Sequence, residues 1–190
     1  MLESVMFTVK GISPLIMHNG QTADPLNQYS KAIKKITAKR KKTDADYEKL
    51  SELEWYAGLY VNDDGRVIVP GDCLTAMLRD AAKKQRLGKL FSSAVFCDDD
   101  ALLEYEGPKK TDKMFQSGKF TSRMLVRVTT AKVLRTRPIF KDWSTTFEVK
   151  YYPTEINIDQ VKEAVETAGR VIGLGDYRPR FGRFEIVETS

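Results

Sequence analysis

Two helical stripes, each set between runs of strand-forming residues, constrain this chain more than any other feature. The first follows Pro70-Gly71-Asp72 and puts Leu74, Met77, Leu78, Ala81 and Ala82 on one apolar face of a helix, at i, i+3, i+4, i+7 and i+8. The second opens at Asn157, with Gln160 in the reciprocal capping position, and carries Ile158, Val161, Val165 and Ile172. Such stripes have to be buried against a second layer. Strand patterns supply it. Val5, Phe7 and Val9 alternate in the run Val5 to Ile12, and further strand-like runs lie at Ala94–Cys97, Ala101–Tyr105, Met124–Val128, Lys132–Phe140, Trp143–Tyr152 and Phe184–Val187. The order strand, helix, strands, helix, strand is the split βαβ arrangement. It predicts an α+β, ferredoxin-like (RRM-like) fold, an antiparallel sheet covered on one face by two helices. The uncovered face of such a sheet is a common seat for single-stranded nucleic acid.

Between the first strand and the first striped helix, the spacing predicts an inserted helical hairpin over about residues 24–57. Asp24-Pro25 reads as an N-cap followed by proline at the first helical position, with Leu26, Tyr29, Ile33 and Ile36 at helical spacing. Thr43 and Asp46 read as the capping box of the second helix. Leu59 to Val69 reads as a β-hairpin turning at Asn62-Asp63-Asp64-Gly65. Residues 106–122, with Gly107-Pro108 and Gly118, read as a mobile loop. All 190 residues are expected to form a single domain.

With 42% hydrophobic and 30% charged residues, a core can form without disulfides or metals. Cys73 and Cys97 have no metal-ligand spacing and read as reduced thiols. No run approaches the roughly 18 apolar residues of a membrane span, and the start of the chain does not look like a secretory signal. These features predict a cytoplasmic protein with no membrane segment and no cofactor. The net charge of +5, from 31 basic and 26 acidic residues, is modest, so where the cations sit matters more than their sum.

They fall in three segments. The first runs from Lys31 through Lys34, Lys35, Lys39, Arg40, Lys41 and Lys42, with no acid among them. Lysines in such a row neutralise phosphates without reading bases, although a solvated helix face has the same look. The second comprises Arg123, Arg127, Lys132, Arg135, Arg137 and Lys141; Arg123 and Arg127 share one strand face, as do Arg135 and Arg137. Such a row grips a backbone and stacks on bases, or else pairs with acids such as Glu148 across a sheet. The third is Gly173-Leu174-Gly175-Asp176-Tyr177-Arg178-Pro179-Arg180-Phe181-Gly182-Arg183-Phe184. Its glycines permit close backbone approach, and its arginines and rings supply phosphate grip and stacking surface. It follows a helix and precedes a strand, so it is not a dinucleotide fingerprint.

Val69-Pro70-Gly71-Asp72-Cys73-Leu74-Thr75-Ala76-Met77-Leu78-Arg79 and the Gly173–Phe184 loop resemble two signatures of the RAMP superfamily, the backbone and processing subunits of CRISPR effector complexes. The first resembles the entry to the family's first core helix, and the second its C-terminal glycine-rich loop. Ser13-Pro14-Leu15 is a weaker third match. The resemblance implies a ferredoxin-like fold, nucleic-acid binding with little base reading, and head-to-tail self-association along a strand. By position, Gly173, Gly175, Arg178, Arg180, Gly182 and Arg183 would line the bound backbone, with Arg79 facing it; Tyr177 and Phe181 are stacking candidates from the loop's own composition. Asp176-Tyr177 and Pro179 depart from the small residues usual in that loop, which leaves room for a stand-alone relative. RNA and single-stranded DNA both stay open as the ligand.

The only histidine, His18, is the one candidate catalytic residue, because processing members of that family use a histidine as general base; Tyr29 and Lys31 are its candidate neighbours. A histidine beside Asn19-Gly20 also fits a plain turn. Asp98-Asp99-Asp100 reads as an acidic turn before it reads as a metal site, and Asp24 as a cap before it reads as a catalytic acid. The leading expectation is therefore a non-catalytic coat for single strands. The alternatives are a metal-independent endoribonuclease using His18, and a protein-interaction module or decoy for an effector complex.

Overall fold

Alternation along Val5, Phe7 and Val9 builds the central strand of the larger of two sheets in a computed structural model that describes residues 1–128 and 131–190. In chain order the elements are β1 (Glu3–Gly11), β2 (Leu15–Ile16), α1 (Gln28–Thr37), α2 (Asp44–Gly58), β3 (Ile68–Val69), α3 (Gly71–Ala82) and α4 (Gly88–Ala94). Then come β4 (Val95–Phe96), β5 (Ala101–Glu104), α5 (Thr111–Gln116), β6 (Thr121–Val128), β7 (Ala131–Phe140), β8 (Ser144–Tyr151), α6 (Ile158–Thr167) and β9 (Phe184–Thr189). The chain divides into two compact units. The first contains Met1–Leu15, Val61–Glu106 and Phe140–Ser190, the second Ile16–Tyr60 and Gly107–Ile139.

In the first unit the strand order is β3-β5-β8-β1-β9, with β4 also paired to β8, and the pairings are antiparallel. The run β5-β8-β1-β9, with α3 linking β1 to β5 and α6 linking β8 to β9, is the ferredoxin-like order the sequence predicts. Val5, Phe7 and Val9 lie in register with Val149, Phe147 and Thr145, and all six are buried. α3 buries Leu74, Met77, Leu78, Ala81 and Ala82 as their spacing requires, and α6 buries Val161, Ala164 and Val165 behind the Asn157–Gln160 capping box, while Ile158 stays half-buried and Ile172, also half-buried, lies beyond the helix. Each large side chain taken fully out of water here contributes about 1.5–3 kcal/mol.

In the second unit, α1 and α2 form the predicted helical hairpin, and Thr43 and Asp46 make the capping box of α2. Trp55 is fully buried; its Nε1 donates to the Phe120 carbonyl at 2.8 Å, and its ring meets Tyr56 and Phe115. β6 and β7 make an antiparallel ribbon, with Thr121 opposite Pro138 and Arg127 opposite Lys132.

The structure corrects several local readings. Asp24 does not cap α1. Its carboxylate accepts the Leu26 N–H within a turn, and Asn27 caps the helix by accepting the Tyr29 N–H at 2.8 Å. The stretch expected to be a loop over 106–122 contains α5, whose Met114 is fully buried while Phe115 joins the Trp55 cluster. A helix of six residues is too short to repeat a stripe, so periodicity does not reveal it. The expected hairpin over 59–69 reduces to one bridge, Val61 to Val67, because Ile68 and Val69 pair with β5 instead. Neither cysteine is in a disulfide, and among the described residues no helix is long and apolar enough to cross a membrane.

Candidate nucleic-acid interface

The aromatic side chains on the uncovered face of the larger sheet lie at its β4 side, where Phe96 stands in register with Lys150 and meets the exposed Tyr152 edge-on. The sheet's two central strands present Met6, Thr8 and Lys10 from β1 and Ser144, Thr146, Glu148 and Lys150 from β8, none of them aromatic. Lys150 is occupied, with Asp98 at 3.1 Å and Glu148 at 3.6 Å. The acidic turn has structural partners of its own: Asp100 accepts the Gly71 N–H, and Asp98 and Asp99 face Lys150. Among the described residues no group of acids, histidines and cysteines converges as a metal site.

The glycine- and arginine-rich loop sits in the first unit, between α6 and β9. Gly173, Gly175 and Gly182 all have left-handed backbone, with φ of 82°, 77° and 74°. Two of them are spent on closing the loop. Leu174 N–H donates to Gly182 O and Gly182 N–H to Pro14 O, each at 2.8 Å. A Cβ on Gly182 would lie 1.7 Å from the Leu174 carbonyl oxygen, and one on Gly173 would lie 2.7 Å from that of Phe181. Gly173 and Gly182 are buried, so the expectation that they line a bound strand gives way to this internal role. Gly175 is exposed, as are Arg178, Arg180 and Arg183. Arg180 lies over the half-buried Phe181 ring at 5.6 Å, and Tyr177 meets that ring edge-on.

Arg178 reaches back to α3, where one carboxylate gathers three cations. Asp80 is 2.8 Å from Lys83, 3.6 Å from Arg79 and 3.7 Å from Arg178. Partial burial pushes the Asp80 carboxyl up, but the Lys83 hydrogen bond and the charges of Lys83, Arg79 and Arg178 outweigh it and hold it below the usual carboxylate range. Three cations thus share the Asp80 carboxylate, and a second acid, Asp176, lines the hollow beside it. Two open hollows flank Asp80. One, of about 500 Å³, is walled by Gly175, Tyr177, Arg178 and Pro179; the other, of about 340 Å³, by Arg79, Lys83, Arg86 and Lys89. The Nε of Arg79 is buried there with no hydrogen-bond partner. Sequence reasoning singled out Arg79 but passed over Lys83, Arg86 and Lys89. Helical spacing could not have found them, because α3 ends at Ala82, Lys83 opens a short 3-10 turn, and Arg86 closes it in a left-handed conformation.

In the second unit, Lys31, Lys34 and Lys35 are exposed on α1, opposite half-buried Ile33 and Ile36. Lys39 pairs with Asp46 at 2.5 Å, and Arg40 is exposed. The arginines of the ribbon divide between its faces. Arg123 and Arg127, with Lys132, are exposed on one face beside Leu125 and Leu134. Arg135 and Arg137 lie opposite Met124 and Ser122 on the other face, and line a hollow with His18 and Glu54. The pairing partner there is Glu54, not the expected Glu148: Arg135 Nη1 donates to Glu54 Oε1 at 2.5 Å, and the Thr136 N–H donates to Oε2 at 2.9 Å. Loss of solvent, then the charges of Arg137 and Arg135, hold His18 below its ordinary range, with Glu54 opposing them. His18 itself is exposed at the mouth, so water tempers that depression. Tyr29 and Lys31, its expected neighbours, do not line this hollow.

No protein-family model matches the chain, and no curated protein sequence does. Solved structures do. All of the chain aligns with 60% of a chain in the cryo-EM structure of the Type III-B Cmr-beta bound to cognate target RNA, at a TM-score of 0.50 and 9% identity. The fold recurs there. The chain also aligns over 98% of its length with 99% of Cmr6 from Pyrococcus furiosus, at a TM-score of 0.39 and 16% identity. It thus spans 60% of the length of the Cmr-beta chain. The Cmr-beta likeness concerns the fold alone, and it agrees with the ferredoxin-like strand order found in the first unit.

Proposed function

We propose that this chain binds single-stranded nucleic acid, sequence-tolerantly and without cleaving it, as a RAMP-superfamily protein that lines up head to tail along the strand. The observation that carries this reading is the gathering of Arg79, Lys83 and Arg178 around Asp80, with Arg86 and Lys89 walling the hollow beside it. A phosphate backbone is the polymer that rewards such a cluster, because each neutralised phosphate releases counterions. Arg180, Phe181 and Tyr177 add a cation and two rings at the rim, which suits unpaired bases more than a stacked duplex. RNA is the favoured polymer, because the solved assembly that shares the fold is bound to target RNA.

Fluorescence anisotropy with labelled single-stranded RNA, single-stranded DNA and duplex across a salt series tests the reading. Replacing Arg178, Arg180 and Arg183 together by alanine should weaken single-strand binding and flatten its salt dependence by about 2 in the log–log slope, at about 0.7 per phosphate contact. Absence of binding to any single strand at low salt would refute the proposal and favour a protein partner. The same RNA should stay intact on incubation; cleavage that disappears with His18→Ala would assign the chain to the endoribonucleases instead.

A further inference from the structure

Charge is divided unevenly between the two units. The second holds 17 basic and 7 acidic side chains, a net +10, which leaves 14 basic and 19 acidic, a net −5, in the first. The whole-chain value of +5 conceals this opposition. Such asymmetry within one chain marks the basic part as the one drawn to a polyanion. The arginine loop belongs to the acidic first unit, so it does not account for the excess.

Within the second unit the densest run is Lys31 to Lys42, seven cations with no acid among them. Lys31, Lys34 and Lys35 stand at i, i+3 and i+4 on the exposed side of α1, and Arg40 and Lys41 carry the charge past its C-terminal end. Lys39 has Asp46, and Lys42 donates to the Lys39 carbonyl. Lys49, Lys83 and Lys150 each have an acid as well. Among the described residues, Lys31, Lys34, Lys35, Arg40 and Lys41 have none. The carbonyl end of α1 favours Lys34 and Lys35. Lys31 sits a turn earlier and Arg40 and Lys41 lie beyond, so the helix dipole explains only part of the row.

A bilayer is a poor match for this ridge. Tyr29, Ile33 and Ile36, on the other side of α1, are half-buried, and Ile33 lines the His18 hollow. Leu26, the one large apolar side chain strongly exposed between 24 and 42, precedes the helix. The lysine side therefore has no large apolar group to insert into lipid. Flexible ammonium groups are strongly hydrated point charges, suited to phosphates. No ring lies between residues 31 and 42, so the ridge cannot stack on bases and gains nothing from unpaired ones.

We infer that the α1 ridge is a second nucleic-acid surface, one that grips the phosphate backbone of duplex and single strand alike. It does not rest on the reading of the arginine loop, whose residues belong to the other unit and whose rings favour unpaired bases.

Fluorescence anisotropy on the full chain with a labelled blunt DNA duplex, across a salt series, tests it. The wild type should bind at about 50 mM salt and weaken steeply as salt rises. Lys31→Gln, Lys34→Gln, Lys35→Gln and Arg40→Gln combined should weaken the duplex at least about tenfold and flatten the log–log slope by about 3, at about 0.9 per phosphate contact. All four side chains are exposed, so the melting temperature should hold. Arginine at the three lysine positions should keep the affinity, and its loss there would overturn a grip based on charge. No duplex binding by the wild type at low salt, or unchanged affinity and slope in the glutamine variant, overturns the inference. Capture of phosphatidylserine vesicles without duplex binding would overturn it too, in favour of an anionic membrane. The Arg178/Arg180/Arg183 variant should lose single-strand affinity and keep duplex affinity, so the two readings fail separately.

Discussion

Gly182 offers a clean measure of how the arginine loop is held, because Gly65 in the same unit provides a matched control. Their φ values are 74° and 73°, so alanine at either position meets the same left-handed penalty of about 1–2 kcal/mol. Their surroundings differ completely. A Cβ at Gly65 has nothing within 4 Å, whereas at Gly182 it would lie 1.7 Å from the Leu174 carbonyl oxygen. To admit it, the loop has to open by more than an ångström. That breaks the 2.8 Å bonds from Leu174 N–H to Gly182 O and from Gly182 N–H to Pro14 O, at about 1 kcal/mol each. Gly182→Ala should therefore cost about 3–4 kcal/mol and Gly65→Ala about 1–2 kcal/mol. At about 2–4 °C per kcal/mol for a chain of this size, the melting temperatures should fall by about 10 °C and about 4 °C. A circular dichroism melt of the two variants reads both numbers. Gly182→Ala should also lose strand affinity, since Arg180 and Arg183 flank the displaced residue. Equal shifts in the two variants would show that the close approach carries no energy, and would refute the internal role assigned to this glycine.

Two further expectations concern titratable groups. His18 is held below its ordinary value of 6.5 chiefly by loss of solvent and by Arg137 and Arg135 from β7, against Glu54 from α2, so the unfolded chain takes up this proton more readily than the native one. The stability tied to neutral His18 is thus present above pH about 6.5 and lost as pH falls below it; His18→Gln should flatten the melting temperature between pH 7 and pH 5, and an unchanged pH profile would contradict that assignment. Burial pushes the Cys97 thiol up to about 12, despite its hydrogen bond with Thr75. Cys97 should therefore resist iodoacetamide at pH 8 in the native protein and react once guanidinium unfolds it; native labelling at Cys97, read by mass spectrometry, would count against the buried placement.

Much of the first unit is legible in the residues themselves. Leu74, Met77, Leu78 and Ala81 sit one helical period apart, Val5, Phe7 and Val9 one strand period apart, and Asn157 and Gln160 at capping distance. Each of these signals is carried by neighbours a few positions away, and a backbone with fixed periods of 3.6 and 2 converts them directly into faces. The ferredoxin-like strand order follows, because stripes and alternations in that order have few ways to bury one another. The candidate site was legible only in composition: the chain announced that arginines and glycines crowd 173–183, not what each one does.

Tertiary contacts alone decided that. Asp80 and Arg178 belong to different elements, and only the packing of α3 beside the loop makes one carboxylate the hub of three cations. Distance in sequence likewise hides Glu54 from Arg135, and their meeting turns an expected phosphate grip into an ion pair beneath a pocket. Gly173 and Gly182 look alike to any local rule as sites of ligand approach, yet each is required by a carbonyl from the far side of the loop. Local periodicity specifies which side of an element is apolar. Charge pairing and close backbone approach depend on which elements meet, and that is a property of the folded chain.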